Sequence, residues 1–176
     1  MSALPPVAVR WREIPTGAER RATAWALLQS MLPPGAELDN PCARCGGPHG
    51  PVIVTNEPFV ASVSYAGALA VAAVSSRADG VTGLGVDAEP LVDPRREAAG
   101  MRGIIDPGRA ATLRDWTRIE AALKADGRGL RVEPATVVVR EAAASWTAVL
   151  PDGVMATGWE PASPPGVLVS VAVRRA

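Results

Sequence analysis

Apolar and polar residues alternate over residues 6–12 (PVAVRWR), which predicts a strand. Thr16-Gly17-Ala18-Glu19 has capping-box spacing, so the alanine- and leucine-rich run through Met31 predicts a helix that Pro33-Pro34 ends. Residues 33–51 are rich in Pro and Gly and predict a long loop holding Cys42, Cys45 and His49. Three β-rich runs follow at 59–64, 69–75 and 81–89, separated by turn signals at Gly67 and Asp79-Gly80. The first two are expected to pair as a hairpin. Asp106-Pro107 reads as an N-cap and first helical position, and a helical pattern runs from there until Gly127 and Gly129 stop it. Four further strands are expected at 135–140, 145–150, 154–159 and 167–173.

This order of elements predicts an α+β fold, with two helix-on-sheet halves side by side and no strong internal repeat. The halves divide as residues 1–85 and 86–176, and the join near 86–95 reads as a central strand that fuses them rigidly. Composition adds exclusions. The chain has 176 residues, 48% of them apolar, with 18 basic and 18 acidic side chains. That supplies a core, and net zero charge argues against a nucleic-acid partner. No apolar run reaches membrane-spanning length and the N-terminus has no basic-then-apolar leader, so a cytoplasmic protein without a membrane partner is expected, and a monomer.

The chain has 17 arginines and a single lysine, Lys124. A compact ammonium does phosphate and proton chemistry that a guanidinium fork does poorly, which draws attention to its surroundings. Trp116, Glu120 and Lys124 fall at i, i+4 and i+8 on one helix face, where Glu120 and Lys124 stand in the favourable ion-pair order. In Gly85-Val86-Asp87-Ala88-Glu89, period-two geometry puts both carboxylates on one face of a strand. Taken separately, these are a surface ion pair and a solvated strand end. If the helix packs on that strand, three carboxylates and one ammonium converge, a donor set suited to Mg²⁺ and a phosphate substrate.

GVDAE followed about thirty residues later by WTRIEAALKADGRGL resembles the 4′-phosphopantetheinyl transferases of the surfactin-synthetase-activating type, whose signature is G-[ILV]-D-x-E and then W-[ST]-x-K-E-A-x-x-K. Upstream, CARCGGPHGP at residues 42–51 resembles a C-x-x-C-G-x-x-H-G-[KR]-P segment of actinobacterial members, and SVSYAG at 62–67 resembles the family's S-x-S-H-[ST]-x strand end. The four landmarks occur in family order over residues 42–130. The resemblance implies two pseudo-symmetric helix-on-antiparallel-sheet halves with the site between them. It implies Mg²⁺ held by Asp87, Glu89 and Glu120, with Glu120 as general base and Lys124 on phosphate. Coenzyme A contacts are implied for Arg20, Arg21, His49, Ser64, Tyr65 and Lys124, and the acceptor is a serine of an acyl or peptidyl carrier protein.

The chain departs from the pattern at three places. Tyr65 stands where a histidine is usual, Ile119 replaces a lysine, and Gly50 runs directly into Pro51 without the intervening basic residue. A charge-assisted hydrogen bond to a phosphate is worth about 1.5–3 kcal/mol, so each departure weakens the hold on a charged substrate. The departures support a second expectation, a non-catalytic relative that binds coenzyme A or a carrier protein. Restoring basic residues at 65 and 119 is expected to tighten coenzyme A binding. Cys42, Cys45 and His49 lack a fourth ligand from another Cys or a second His, with Asp39 the remaining donor nearby, so a reduced, metal-free ordered loop is expected there.

Overall fold

The computed structural model describes residues 4–94 and 112–176. The elements are β1 (Ala8–Glu13), α1 (Arg20–Gln29), β2 (Glu37–Asp39), β3 (Ile53–Thr55), β4 (Phe59–Ala66), β5 (Leu69–Ser76), β6 (Val81–Pro90), α2 (Leu113–Asp126), β7 (Val138–Glu141), β8 (Trp146–Val149), β9 (Met155–Trp159) and β10 (Val167–Arg175). They form an α+β fold with antiparallel sheets in the orders β1-β5-β4, β6-β10-β9-β8-β7 and β2-β3. No described helix is long and apolar enough to cross a membrane.

Strand alternation sorts the side chains into layers. On β5, Ala72 and Val74 pack with Leu27 and Leu28 of α1, whereas Val71 and Ala73 join Val86, Ala88, Val169 and Val171 of the larger sheet. On that sheet's far face, Ala172 and Trp146 pack with Ile119, Ala122 and Leu123 of α2. The layers therefore run α1, three-stranded sheet, five-stranded sheet, α2, and one apolar core joins the two sheets face to face.

The hairpin of β4 and β5 forms with Val60 opposite Ser75 and Ser64 opposite Val71. β6 is not continuous with that hairpin: it is an edge strand of the larger sheet, paired along its length with β10. Residue 85 lies inside it. Three local expectations change. Thr16 does not cap α1: Gly17 adopts a left-handed φ of 79° in a turn closed by Ala18 N–H on Pro15 O, so the helix starts at Arg20. The long loop is clamped at its base, because β2 and β3 pair across it. The first part of the strand expected at 135–140 is a 3-10 turn, Pro134–Thr136.

The expected helix start at Asp106-Pro107 lies outside the described residues. Within them, Thr112 caps α2 in a full capping box: its Oγ1 accepts from Asp115 N–H at 3.1 Å, and Asp115 Oδ2 accepts from Thr112 N–H at 3.0 Å. Gly127, with φ 82°, ends the helix by donating to the Leu123 and Lys124 carbonyls.

Candidate functional site

The site begins with two glycines. A Cβ on Gly85 would stand 1.9 Å from Ala121 O, and one on Gly83 would stand 2.1 Å from Ala125 O. Both face α2, so the helix backbone rests directly on β6 over a lane without side chains. Asp87 and Glu89 continue the same strand parity, while Leu84, Val86 and Ala88 turn into the core between the sheets. Close approach of helix to strand lets a side chain of α2 reach around the open edge of β6.

Lys124 does so. Its Nζ donates to Asp87 Oδ1 at 2.7 Å, to Val86 O at 3.1 Å and to Ser64 Oγ at 3.2 Å. The Ser64 hydroxyl donates to Asp87 Oδ1 at 3.0 Å and accepts Ala88 N–H at 3.2 Å. Two residues earlier on β4, Ser62 Oγ accepts Val86 N–H at 3.0 Å. The two serines thus satisfy edge amides of β6 by side chain instead of by a ladder. Asp87 is only 4% exposed, and its Oδ2 is buried without a hydrogen-bond partner. The ammonium therefore pairs across the helix–strand junction with Asp87, whereas spacing along the helix points to Glu120.

Glu120 lies on the same side of α2, one turn before Lys124. Burial pushes its carboxyl above the ordinary value; Lys124 opposes that, and the negative charges of Asp87 and Glu89 add to it. Three carboxylates and one ammonium thus influence one another at this junction. All the donors are hard oxygens and one Asp87 oxygen is unsatisfied, which fits a divalent cation. The carboxylates do not form a ready cage, however: among the described residues, the one group of acidic, His or Cys donors whose ligand atoms all lie within 4.8 Å of one another is Cys42, Cys45 and His49.

The residues that the resemblance assigns to coenzyme A separate into two settings. Ser64 faces Asp87 and Lys124, whereas Tyr65 points to the other face of β4, where the Arg20 guanidinium lies 4.6 Å from its ring centre. Burial raises the Tyr65 hydroxyl pKa, and the nearby Arg20 and Arg21 charges counteract it. Arg21 is engaged in the loop, donating to Pro48 O and to Asn40 Oδ1, each at 2.9 Å, and it lies over Trp25. His49 Nε2 and Cys45 Sγ are 3.0 Å apart. The Cys42 thiol is held below its usual value by the backbone N–H groups of Arg44 and Cys45.

Two points correct the sequence reading. Ile119 is 1% exposed and packs in the core beneath α2, so a lysine there would bury an ammonium instead of meeting a phosphate. Asn40, not singled out in the sequence, is the buried hub of the loop: it accepts from Arg21, donates to Pro48 O through Nδ2 at 2.9 Å, and accepts Gly50 N–H on its carbonyl at 2.7 Å. The Asn40-Pro41 dipeptide marks a turn but says nothing of that burial. No protein-family model matches the chain and no curated protein matches it.

Proposed function

We propose that the chain is a 4′-phosphopantetheinyl transferase, moving phosphopantetheine from coenzyme A to a serine of an acyl or peptidyl carrier protein. The observation that carries this reading is the Lys124–Asp87 ion pair across β6 and α2, with Glu89 and Glu120 near enough for their charges to act at the same junction. The layered arrangement supports it too. α1 on one sheet and α2 on the other, with the sheets packed together, suit two pseudo-symmetric halves with the site at their junction. With coenzyme A and carrier proteins as its substrates, such an enzyme works in the cytoplasm.

Asp87, Glu89 and Glu120 would hold Mg²⁺, which when bound supplies positive charge to a pyrophosphate. The carrier serine oxygen forms a bond to the phosphorus bearing pantetheine, the bond from that phosphorus to the bridging oxygen breaks, and 3′,5′-ADP leaves with the electron pair. Glu120, on the α2 side of the junction, would accept the serine proton. Lys124 is held at Asp87 within reach of this junction and supplies an ammonium to the departing phosphate. Arg20 and Tyr65 offer a cation and a phenol on the opposite face of β4, and they reach the nucleotide end only if coenzyme A passes around that strand.

A second reading, a relative that binds coenzyme A or a carrier protein without transfer, draws on Tyr65 and on Gly50-Pro51, where basic residues of the pattern are missing. Incubating the chain with coenzyme A, Mg²⁺ and an apo carrier protein, then weighing the carrier, separates the two. Transfer adds one phosphopantetheinyl group per carrier and stops with chelator. Coenzyme A binding without any mass change selects the second reading.

A further inference from the structure

The chain's single histidine and its only two cysteines all lie in one loop, and their donor atoms gather within 4.8 Å of one another. This loop is far from featureless. Gly46 N–H donates to Cys42 O and Cys42 N–H donates to Gly47 O, both at 2.8 Å, so the backbone between the cysteines closes into a knuckle. Gly46 takes a left-handed φ of 70°, which turns the chain immediately after Cys45. A Cβ on Gly47 would stand 3.3 Å from both Cys45 Sγ and the His49 ring. The glycine pair therefore lets two sulfurs and an imidazole crowd together, an arrangement that a merely linking loop does not require. Arg21 and Asn40 fix the far side of the knuckle by holding Pro48 O.

We infer that Cys42, Cys45 and His49 bind one Zn²⁺, with the fourth position open to solvent. Tetrahedral zinc with Zn–S of about 2.3 Å and Zn–N of about 2.0–2.1 Å places ligand atoms roughly 3.5–3.8 Å apart; the three donors lie within 4.8 Å of one another, and the Cys45–His49 pair, at 3.0 Å, opens by about half an ångström to admit the ion. Two thiolates and an imidazole select zinc over magnesium, so this site does not compete for the ion assigned to the carboxylates. Cys45 and His49 are exposed, which gives the metal an entry path. The expectation of a metal-free loop rests on counting four protein ligands; three with an open position is the pattern of zinc sites that keep a water or other exchangeable ligand. The metal would staple the 40–50 loop beside Arg21 and α1. This inference stands on the loop's own geometry and does not depend on the transferase reading.

Cobalt titration of the reduced, metal-stripped full chain tests it. One equivalent of Co²⁺ is expected to produce thiolate-to-metal charge-transfer bands and the strong visible bands of four-coordinate cobalt, and one equivalent of Zn²⁺ is expected to abolish them. With Cys45→Ser, one sulfur ligand goes and the charge-transfer intensity falls to about half or vanishes. His49→Ala keeps the sulfur bands but weakens binding. Zinc is also expected to raise the melting temperature of the wild-type chain and not that of Cys45→Ser. Absence of charge-transfer bands in the folded wild-type chain overturns the proposal. So does wild-type intensity in Cys45→Ser, a comparison made only if circular dichroism shows that variant folded.

Discussion

The junction of β6 with α2 and the loop at residues 40–50 against α1 both hold polar groups in register, by opposite means. At the junction, backbone lies on backbone: Gly83 and Gly85 admit the Ala121 and Ala125 carbonyls, α2 is capped at both ends, and Asp87 is shut away with Lys124 and Ser64. At the loop, a side chain does the holding: Arg21 reaches from α1, which has no side-chain N-cap, to Pro48 O and Asn40. A packed junction fixes its charges to a fraction of an ångström and responds to any added atom. A loop held by hydrogen bonds of Arg21 and Asn40 tolerates more, and the loss of one of them stays local.

The largest effect expected is from Gly85→Ala. The new methyl meets the Ala121 carbonyl and the Ala125 amide, neither of which can swing aside, so α2 must lift from β6. A loss of about 3 kcal/mol or more is expected in urea denaturation, together with loss of the proposed transfer activity. Gly46→Ala in the loop meets no atom within 4 Å, so its cost is limited to the left-handed φ. Equal costs for the two would erase the contrast.

Next is Lys124→Ala, which leaves the Asp87 carboxylate buried without its cation. Breaking such a pair is expected to cost about 2–5 kcal/mol. Adding Asp87→Asn to Lys124→Ala removes the stranded charge and is expected to recover part of the loss, giving a coupling energy well above that of a surface pair in a double-mutant cycle. Additive single-mutant costs would show that the two groups do not share a site.

Arg21→Ala is expected to cost about 1–2 kcal/mol, since one of its two charge-assisted hydrogen bonds lies at an exposed carbonyl. Its signature is where the effect falls: amide exchange should quicken across residues 40–50 and stay unchanged along α2. Quickening across α2 as well would mean that the loop and the junction open together.

Glu120→Gln is the smallest perturbation of the fold and sharpens the junction's electrostatics. The folded chain holds the Glu120 proton more tightly than the unfolded chain, so the wild type loses stability as pH rises from the ordinary value of 4.5 through the raised one. Glutamine carries no such penalty. In chelator at pH 7, Glu120→Gln is expected to be slightly more stable than the wild type, with the gap closing below pH 4.5. On the proposed transferase reading, in which Glu120 is the general base, transfer is expected to fall about 10²–10⁴-fold. A variant less stable than the wild type at neutral pH would place Glu120 in a favourable ion pair instead.

Local rules made much of this molecule legible in the sequence. β-rich runs between turn and breaker signals located β4, β5, β6 and β10, the short turn at Gly67 implied the hairpin, and Gly127 marked the end of α2, because each depends on residues within a few positions of one another. Period two also put Asp87 and Glu89 on one face before any packing was known. What only the tertiary structure decided involves residues far apart in the chain. Lys124 faces two carboxylates, Asp87 across the junction and Glu120 on its own helix, and only the glycine lane on β6 brings Asp87 within 2.7 Å. Ile119 is one residue from Glu120, yet the sheet beneath α2 takes its side chain into the core, a choice that helical spacing leaves open until the packed face is known. Arg20 and Arg21 are neighbours with equal charge, and the helix sends one to Tyr65 and the other to the loop. Sequence periodicity states which residues share a face; the partner of that face is set by the packing of layers, which depends on contacts between segments that no local pattern encodes.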